Sequence, residues 1–252
     1  MRTGSREELQ KKHLRIITEG GGFQFADPGT FKWYTSGQIG SYYVQSAAAL
    51  KSCYSEACDD MEGLIRDTVG VGGLLNAVIS GGETRDWMFS FSVADRLKLP
   101  PVMLYKNGNV LGADMNGKRV IHVADLNNEG SSMRDLWGPS IIRNGGMLEH
   151  VFFYVDRRED GTQVMEDLEL NSHALVPLDK HAWDYLKDIG AVESDVYEEI
   201  RRRMENKDAW AREMFESDSG FKTLLSLPQA KREKTIKAYP YLNDMLVERL
   251  AD

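Results

Sequence analysis

A polar segment behind a β-prone run has the residue types to bind a phosphorylated sugar. In VIHVADLNNEGSS (residues 120–132), Val120 to Val123 predict a strand that brings Asp125 to its carboxyl end. A turn with Gly130, Ser131 and Ser132 then leads into a helix that begins near Met133. Amides at a helix start, with two hydroxyls, can bind phosphate, and a carboxylate suits the hydroxyls of a ribose. The alternative is a capped turn that binds nothing, in which Ser131 or Ser132 is the N-cap.

Two other loops follow predicted strands. In ISGGETRDW (residues 79–87), Gly81 and Gly82 would let the backbone approach a ligand closely, and Arg85 could contact a pyrophosphate. The alternative is an ordinary entry turn to a helix, with Arg85 in solvent. In YKNGNVLGADMNGKR (residues 105–119), Lys106 ends a strand and is either a phosphate ligand or an exposed lysine before a turn. In an open α/β sheet, ligands bind outside the carboxyl ends of the strands, where these loops lie.

The three loops together, in this order, resemble the type I phosphoribosyltransferase family and, within it, orotate phosphoribosyltransferases. Residues 120–132 stand where the family has its phosphoribosyl-pyrophosphate (PRPP) signature, and residues 79–87 stand at its pyrophosphate loop. MLYKNG resembles the strand end before the mobile catalytic loop, and FKWYTSGQIGSYYVQS (residues 31–46) resembles the hood segment over the base. DRREDGTQVMEDLELNSHALVPL (residues 156–178) resembles the family's last turn, helix and strand. The resemblance covers about residues 23–178.

The resemblance implies transfer of a phosphoribosyl group from PRPP to a nucleobase such as orotate, with release of pyrophosphate. The catalytic residues would be Asp125 and Lys106. PRPP would be bound by Asp125, Asn128, Glu129, Gly130, Ser131, Ser132, Gly81, Gly82 and Arg85. The base or a subunit interface would be contacted by Ser36, Gly37, Tyr42 and Tyr43. Mg²⁺ would arrive with PRPP rather than on protein ligands, the partners would be PRPP and a nucleobase or nucleotide, and the protein would be a homodimer.

The chain also departs from the family pattern. Ala124 replaces the first residue of an acidic pair, Glu129 lies in the phosphate turn, and Asp86 stands near the place of a pyrophosphate-loop glycine. Thr35 replaces a lysine, and the short segment between Lys106 and Lys118 lacks the Lys-x-His-Gly of the catalytic loop. These departures motivate an alternative, a non-catalytic PRPP- or nucleotide-binding sensor or regulatory protein on the same fold. An unrelated flavodoxin-like or Rossmann domain is a third possibility, but no G-x-G-x-x-G follows an early strand.

The elements that must position these residues predict an α/β fold. Short apolar strands alternate with helices from about residue 76, which predicts a mostly parallel twisted sheet flanked by helices. We expect residues 1–178 to form a phosphoribosyltransferase-like domain with an N-terminal hood segment. Residues 179–252 would form an all-helical C-terminal extension, in which residues 193–217 read as a single amphipathic helix.

Composition narrows the function classes. A net charge of −8 argues against a protein built to bind nucleic acid or an anionic membrane surface. The N-terminus lacks the apolar core of a signal peptide, and no apolar run approaches the length of a membrane span. Cys53 and Cys58 have the spacing of neither a redox pair nor a zinc site, and the histidines show no HxxxH. We therefore expect a reduced, cytoplasmic protein without a metal-binding cage.

Overall fold

A computed structural model describes residues 5–51 and 53–251 of the chain. The strands are β1 (Phe23–Phe25), β2 (Lys32–Trp33), β3 (Ile39–Gly40), β4 (Tyr42–Val44), β5 (Ala77–Gly82), β6 (Pro101–Leu104), β7 (Val110–Gly112), β8 (Arg119–Asn127), β9 (Met147–Asp156) and β10 (Asn171–Pro177). The α-helices are α1 (Arg6–Glu19), α2 (Tyr54–Leu74), α3 (Asp86–Leu97), α4 (Gly138–Arg143), α5 (Asp160–Asp167), α6 (Lys180–Asp188), α7 (Ser194–Glu205), α8 (Lys207–Glu216), α9 (Asp218–Ser226), α10 (Gln229–Ala238) and α11 (Asn243–Ala251). Short 3₁₀ segments cover Ser46–Lys51 and Pro240–Leu242, and Met133–Trp137 is a π-helical segment.

The central sheet has six strands in the order β10-β9-β8-β5-β6-β7. Every neighbouring pair is parallel except β6 and β7, which form an antiparallel hairpin at one edge. The mostly parallel sheet flanked by helices is therefore confirmed. After β5 the chain adds β6 on one side, and it later returns to place β8 on the other side of β5. The strand order thus reverses between β5 and β8, and such a switch point is where open α/β sheets bind ligands.

The sequence of the sheet explains why both of its faces are covered. All six residues of β5 are buried, and β8 is buried over most of its length, as expected for parallel strands with helices on each face. On one face α3 presents Phe89, whose ring stacks on that of Tyr154 of β9. On the other face Ala124 of β8 lies in an apolar cluster with Trp137 and Ile141.

The chain divides into two compact units. The first contains the chain up to Gly22 together with Ser46–Ala182, and the second contains Phe23–Gln45 together with the chain from Trp183. The unit boundary near residue 182 lies close to the predicted domain boundary at residue 178. The hood segment, which we expected within the α/β domain, instead groups with the C-terminal helices.

The second unit has its own apolar core. Phe31 and Ile39 pack in one cluster with Trp210, Phe215 and Tyr239 of the C-terminal segment. The backbone N–H of Ile39 donates to the Tyr239 hydroxyl at 2.8 Å. These long-range contacts explain why the hood segment groups with the helices.

The single helix predicted over residues 193–217 is wrong, because Asn206 interrupts it. Asn206 is extended (φ −154°, ψ 93°), and its side chain accepts a hydrogen bond from the N–H of Ala209 at 2.9 Å. Asparagine favours this capping geometry over a helix interior, since its side chain replaces a backbone acceptor. The chain therefore ends α7 and begins α8 at this residue.

Within residues 5–51 and 53–251 the structure shows neither a membrane span nor a cluster of metal ligands. None of the helices there is both long and apolar enough to cross a membrane. Over the same residues, no group of three or more histidine, cysteine, aspartate or glutamate side chains is arranged to hold a metal ion.

Candidate functional site

Asp125 lies at the switch point of the sheet, two residues before the end of β8. Its carboxylate is buried, and its Oδ2 accepts a hydrogen bond of 2.6 Å from the Ser46 hydroxyl. The guanidinium Nε of Arg85 lies 3.5 Å from the same oxygen. The structure thus brings together Asp125 and Arg85, both predicted site residues, and adds Ser46, whose sequence context gave no sign of this role.

A second carboxylate, from Asp86 at the start of α3, lies beside Asp125. Its Oδ1 accepts a hydrogen bond of 3.0 Å from the backbone N–H of Asp125. Its Oδ2 accepts one of 3.1 Å from the backbone N–H of Gly82. Burial, and the negative charge of Asp125, raise the pKa of Asp86 well above its usual range. A raised pKa favours the neutral form of Asp86, which reduces the repulsion between the two neighbouring carboxyl groups.

His122 lies beneath this pair and was not predicted to belong to the site. Its Nδ1 is 2.9 Å from the Ser80 hydroxyl, and its Nε2 is 3.9 Å from Oδ2 of Asp86. The ring is fully buried, its Nε2 makes no hydrogen bond, and burial lowers the pKa of His122 to about 3. A single buried histidine inside an apolar strand carries no motif, so spacing alone could not reveal it.

The glycines of the pyrophosphate-loop segment are required by packing inside the protein. A Cβ on Gly81 would lie 2.2 Å from the Ser90 hydroxyl, and one on Gly82 would lie 2.2 Å from Cε2 of Trp137. The carbonyl of Gly81 also accepts a hydrogen bond of 2.9 Å from Nε1 of Trp87. We predicted these glycines from close ligand approach, whereas the structure shows protein side chains on the Cβ side of both.

The loop after β5 lies beside the β6–β7 hairpin. The peptide bond between Glu83 and Thr84 is cis. Oε2 of Glu83 accepts a hydrogen bond of 3.0 Å from the backbone N–H of Lys106. The turn between β6 and β7 is closed by a hydrogen bond of 2.9 Å from the N–H of Tyr105 to the carbonyl of Asn109. Lys106 is exposed at this turn, so its side chain remains available to a ligand.

The phosphate-loop segment turns sharply at Gly130. This residue has φ +67°, and a Cβ there would lie 2.8 Å from Cβ of Val164. Ser131 is half-buried and Ser132 is exposed. Ser132 has helical backbone angles and makes no capping hydrogen bond with its side chain, so the structure does not support it as the N-cap. One oxygen of Glu129, Oε1, is buried without a hydrogen-bond partner.

The asparagines of this loop are held by the segment after β9. The side-chain amide of Asn127 donates to Oδ1 of Asp156 at 3.2 Å. The carbonyl of Asn128 accepts from the N–H of Gly161 at 3.1 Å. The resemblance placed Asn128 among the PRPP ligands, and here its backbone fixes the loop.

The predicted base or hood residues belong to the second unit. Tyr42 is buried with its ring centroid 4.6 Å from that of Trp183, and Tyr43 is half-buried. The Ser36 hydroxyl accepts from the N–H of Gln38 at 3.3 Å. Gly37 has φ +98°, and a Cβ there would lie 2.6 Å from the carbonyl of Lys234. Their contact with a base stays a prediction.

Comparisons with known proteins bear on the resemblance. No protein-family model matches the chain. Orotate phosphoribosyltransferase of Ruegeria sp. (strain TM1040) is 27% identical over 222 residues, which cover 82% of this chain and 94% of that protein. The fold of this chain is similar to that of orotate phosphoribosyltransferase of Francisella tularensis, with a TM-score of 0.61, 14% identity and coverage of 77% of this chain and 98% of that one.

Leishmania donovani UMP synthase has a similar fold as well, with a TM-score of 0.63 and 15% identity. The match covers 79% of this chain and 42% of that one, so the chain spans less than half the length of the synthase. Sequence and fold together confirm the resemblance to the type I phosphoribosyltransferase family and, within it, to orotate phosphoribosyltransferases.

Proposed function

We propose that this protein transfers a phosphoribosyl group from magnesium-PRPP to a nucleobase such as orotate and releases pyrophosphate. The observation that carries the proposal is the placement of Asp125 at the β5–β8 switch point, next to Arg85 and followed by the Gly130–Ser132 turn. Sequence similarity to an orotate phosphoribosyltransferase supports the same reaction and makes orotate the first base to test.

In this reaction a ring nitrogen of the base forms a bond to C1 of the ribose. The bond between C1 and the pyrophosphate oxygen breaks, its electron pair leaves with pyrophosphate, and the base nitrogen releases its proton to solvent. Positive charge develops on the ribose, and Asp125 would favour it while accepting hydrogen bonds from the ribose hydroxyls. The Gly130–Ser132 turn would hold the 5-phosphate, and Arg85 and Lys106 would contact the pyrophosphate.

The charges around the site favour PRPP as its magnesium complex. The loops proposed to contact PRPP carry the acidic residues Glu83, Asp125 and Glu129 as well as the cations Arg85 and Lys106. A free pyrophosphate group would meet these carboxylates with its full negative charge, and Mg²⁺ bound to it reduces the repulsion. The metal would therefore enter with the substrate.

Calorimetry and a pyrophosphate-release assay test the proposal. We expect wild-type protein to bind PRPP with Mg²⁺ and to release pyrophosphate with orotate. Asp125→Asn should reduce the rate by about 100-fold or more, because it removes the charge beside the ribose. Asp95→Asn, on an exposed side chain of α3, is the matched control and should behave as wild type.

Two outcomes would contradict the proposal. Wild-type protein that does not bind magnesium-PRPP would exclude it. Binding without pyrophosphate release, on orotate and on a panel of other bases, would instead favour the non-catalytic PRPP-binding alternative. The structural observation that motivates this alternative is the tight turn after β6.

A further inference from the structure

We propose that Asp86 is a positioning residue of the PRPP site, which supplies the second carboxyl group that β8 lacks at position 124. Its carboxyl group fixes the loop after β5 to the end of β8. The inference rests on the proposed function. It concerns two positions, Asp86 and Ala124, at which this chain departs from the family pattern.

The hydrogen bonds of Asp86 join two segments that bear on different parts of PRPP. One carboxyl oxygen accepts the N–H of Gly82, in the loop proposed to lie at the pyrophosphate. The other accepts the N–H of Asp125, whose side chain is proposed to lie at the ribose. Because one rigid carboxyl group binds both amides, the separation of the two segments is set by the geometry of a single side chain.

The surroundings of Ala124 explain why the second carboxyl group comes from elsewhere. Ala124 is 5% exposed and packs in an apolar cluster with Met133 and Trp137. A carboxylate at this position would be buried among apolar side chains, which is costly without a partner. Asp86 reaches the same end of the sheet from α3, where two backbone amides receive its oxygens.

The arrangement leaves Asp125 as the residue that faces the ligand with a charge. Asp125 accepts from Ser46 and lies beside the guanidinium of Arg85. Burial and the charge of Asp125 raise the pKa of Asp86, which reduces the repulsion between the two acidic groups. The two acidic residues thus have different roles: Asp86 positions the loop after β5 and the end of β8, and Asp125 contacts the ribose.

The test compares Asp86→Ala, Asp86→Asn and the control Asp95→Ala in the full chain. We expect Asp86→Ala to raise the KM for PRPP by about tenfold and leave the KM for the base within about twofold, since both lost contacts bear on the PRPP segments. Asp86→Asn keeps one acceptor and should show a smaller increase. Asp95→Ala, on an 80% exposed side chain, should match wild type.

A merely structural role predicts a different pattern. Partial unfolding would lower kcat through the active fraction and leave the KM for PRPP unchanged.

Amide exchange measured by nuclear magnetic resonance gives a readout without PRPP: Asp86→Ala should accelerate exchange at Gly82 and Asp125, and Asp95→Ala should not.

The outcomes separate this inference from the proposed function. If wild type does not bind magnesium-PRPP, the proposed function fails and the inference fails with it. If wild type binds and Asp86→Ala keeps the wild-type KM for PRPP, or leaves exchange at Gly82 and Asp125 unchanged, only the inference is overturned.

Discussion

At the scale of single residues, the site depends on buried polar groups that the surrounding sequence does not mark. His122 and Ser80 occupy neighbouring buried strands and bind each other, and His122 also lies under Asp86. Asp125 could be predicted from its strand-and-turn context. Its hydrogen-bond partner Ser46 could not be predicted, because Ser46 lies 79 positions away along the chain.

The buried imidazole of His122 should make the stability of the fold depend on pH. Its pKa is lowered to about 3 in the fold, so the fold favours the neutral ring. The resulting stability is fully present above the ordinary histidine pKa of about 6.5 and is lost as the pH falls from there towards 3. We expect the free energy of unfolding to fall by ~2 kcal/mol between about pH 7 and pH 5 because of this residue.

Urea unfolding at the two pH values measures this loss. His122→Gln, which cannot be protonated, should show a pH dependence smaller than that of wild type by this amount. The control is His181→Gln, at an exposed histidine, which should keep the wild-type dependence. Equal pH dependence in wild type and His122→Gln would show that the buried ring does not contribute.

At the scale of elements, the periodicity of the sequence predicted the sheet and its helices because local apolar patterns specify them. The strand β8, which contains the apolar run that begins at Val120, is a local feature of this kind. The antiparallel partner of β6, strand β7, was missed because it has only three residues (110–112) and is largely exposed. Asn206 was missed because an asparagine within an amphipathic pattern also fits an exposed helical position.

The phosphate turn gives an element-scale prediction about Gly130. A Gly130→Ala substitution places a side chain at φ +67° and within 2.8 Å of Val164. We expect a loss of roughly 3 kcal/mol in unfolding free energy, of which ~1 to 2 kcal/mol comes from the backbone conformation and the rest from the clash.

Gly117→Ala is a matched control, since Gly117 has the same φ of +67° and a Cβ there would meet nothing within 4 Å. It should show the backbone cost alone. Val164→Ala added to Gly130→Ala should recover part of the difference, measured by chemical denaturation. If Gly130→Ala and Gly117→Ala are equally destabilised, contact with Val164 does not define the turn.

At the scale of the whole molecule, the division into units could not be predicted from the sequence. The hood segment resembles part of the phosphoribosyltransferase pattern, which suggested that it belongs with the sheet. Its packing depends on contacts between residues far apart, such as the bond from Ile39 to Tyr239, and these leave no local pattern. The family resemblance of this segment therefore did not predict the core to which it contributes.

The shared core predicts that the hood hairpin β2–β3 and the C-terminal helices open together. Phe215 is fully buried in that core, so Phe215→Ala should cost about 3 to 5 kcal/mol locally. Hydrogen exchange at the Ile39 amide should then accelerate, because its acceptor Tyr239 lies in the same cluster. Leu225→Ala, on a side chain 42% exposed, is the control and should leave exchange at Ile39 unchanged. Unchanged protection of Ile39 in Phe215→Ala would show that the hairpin is stabilised independently of these helices.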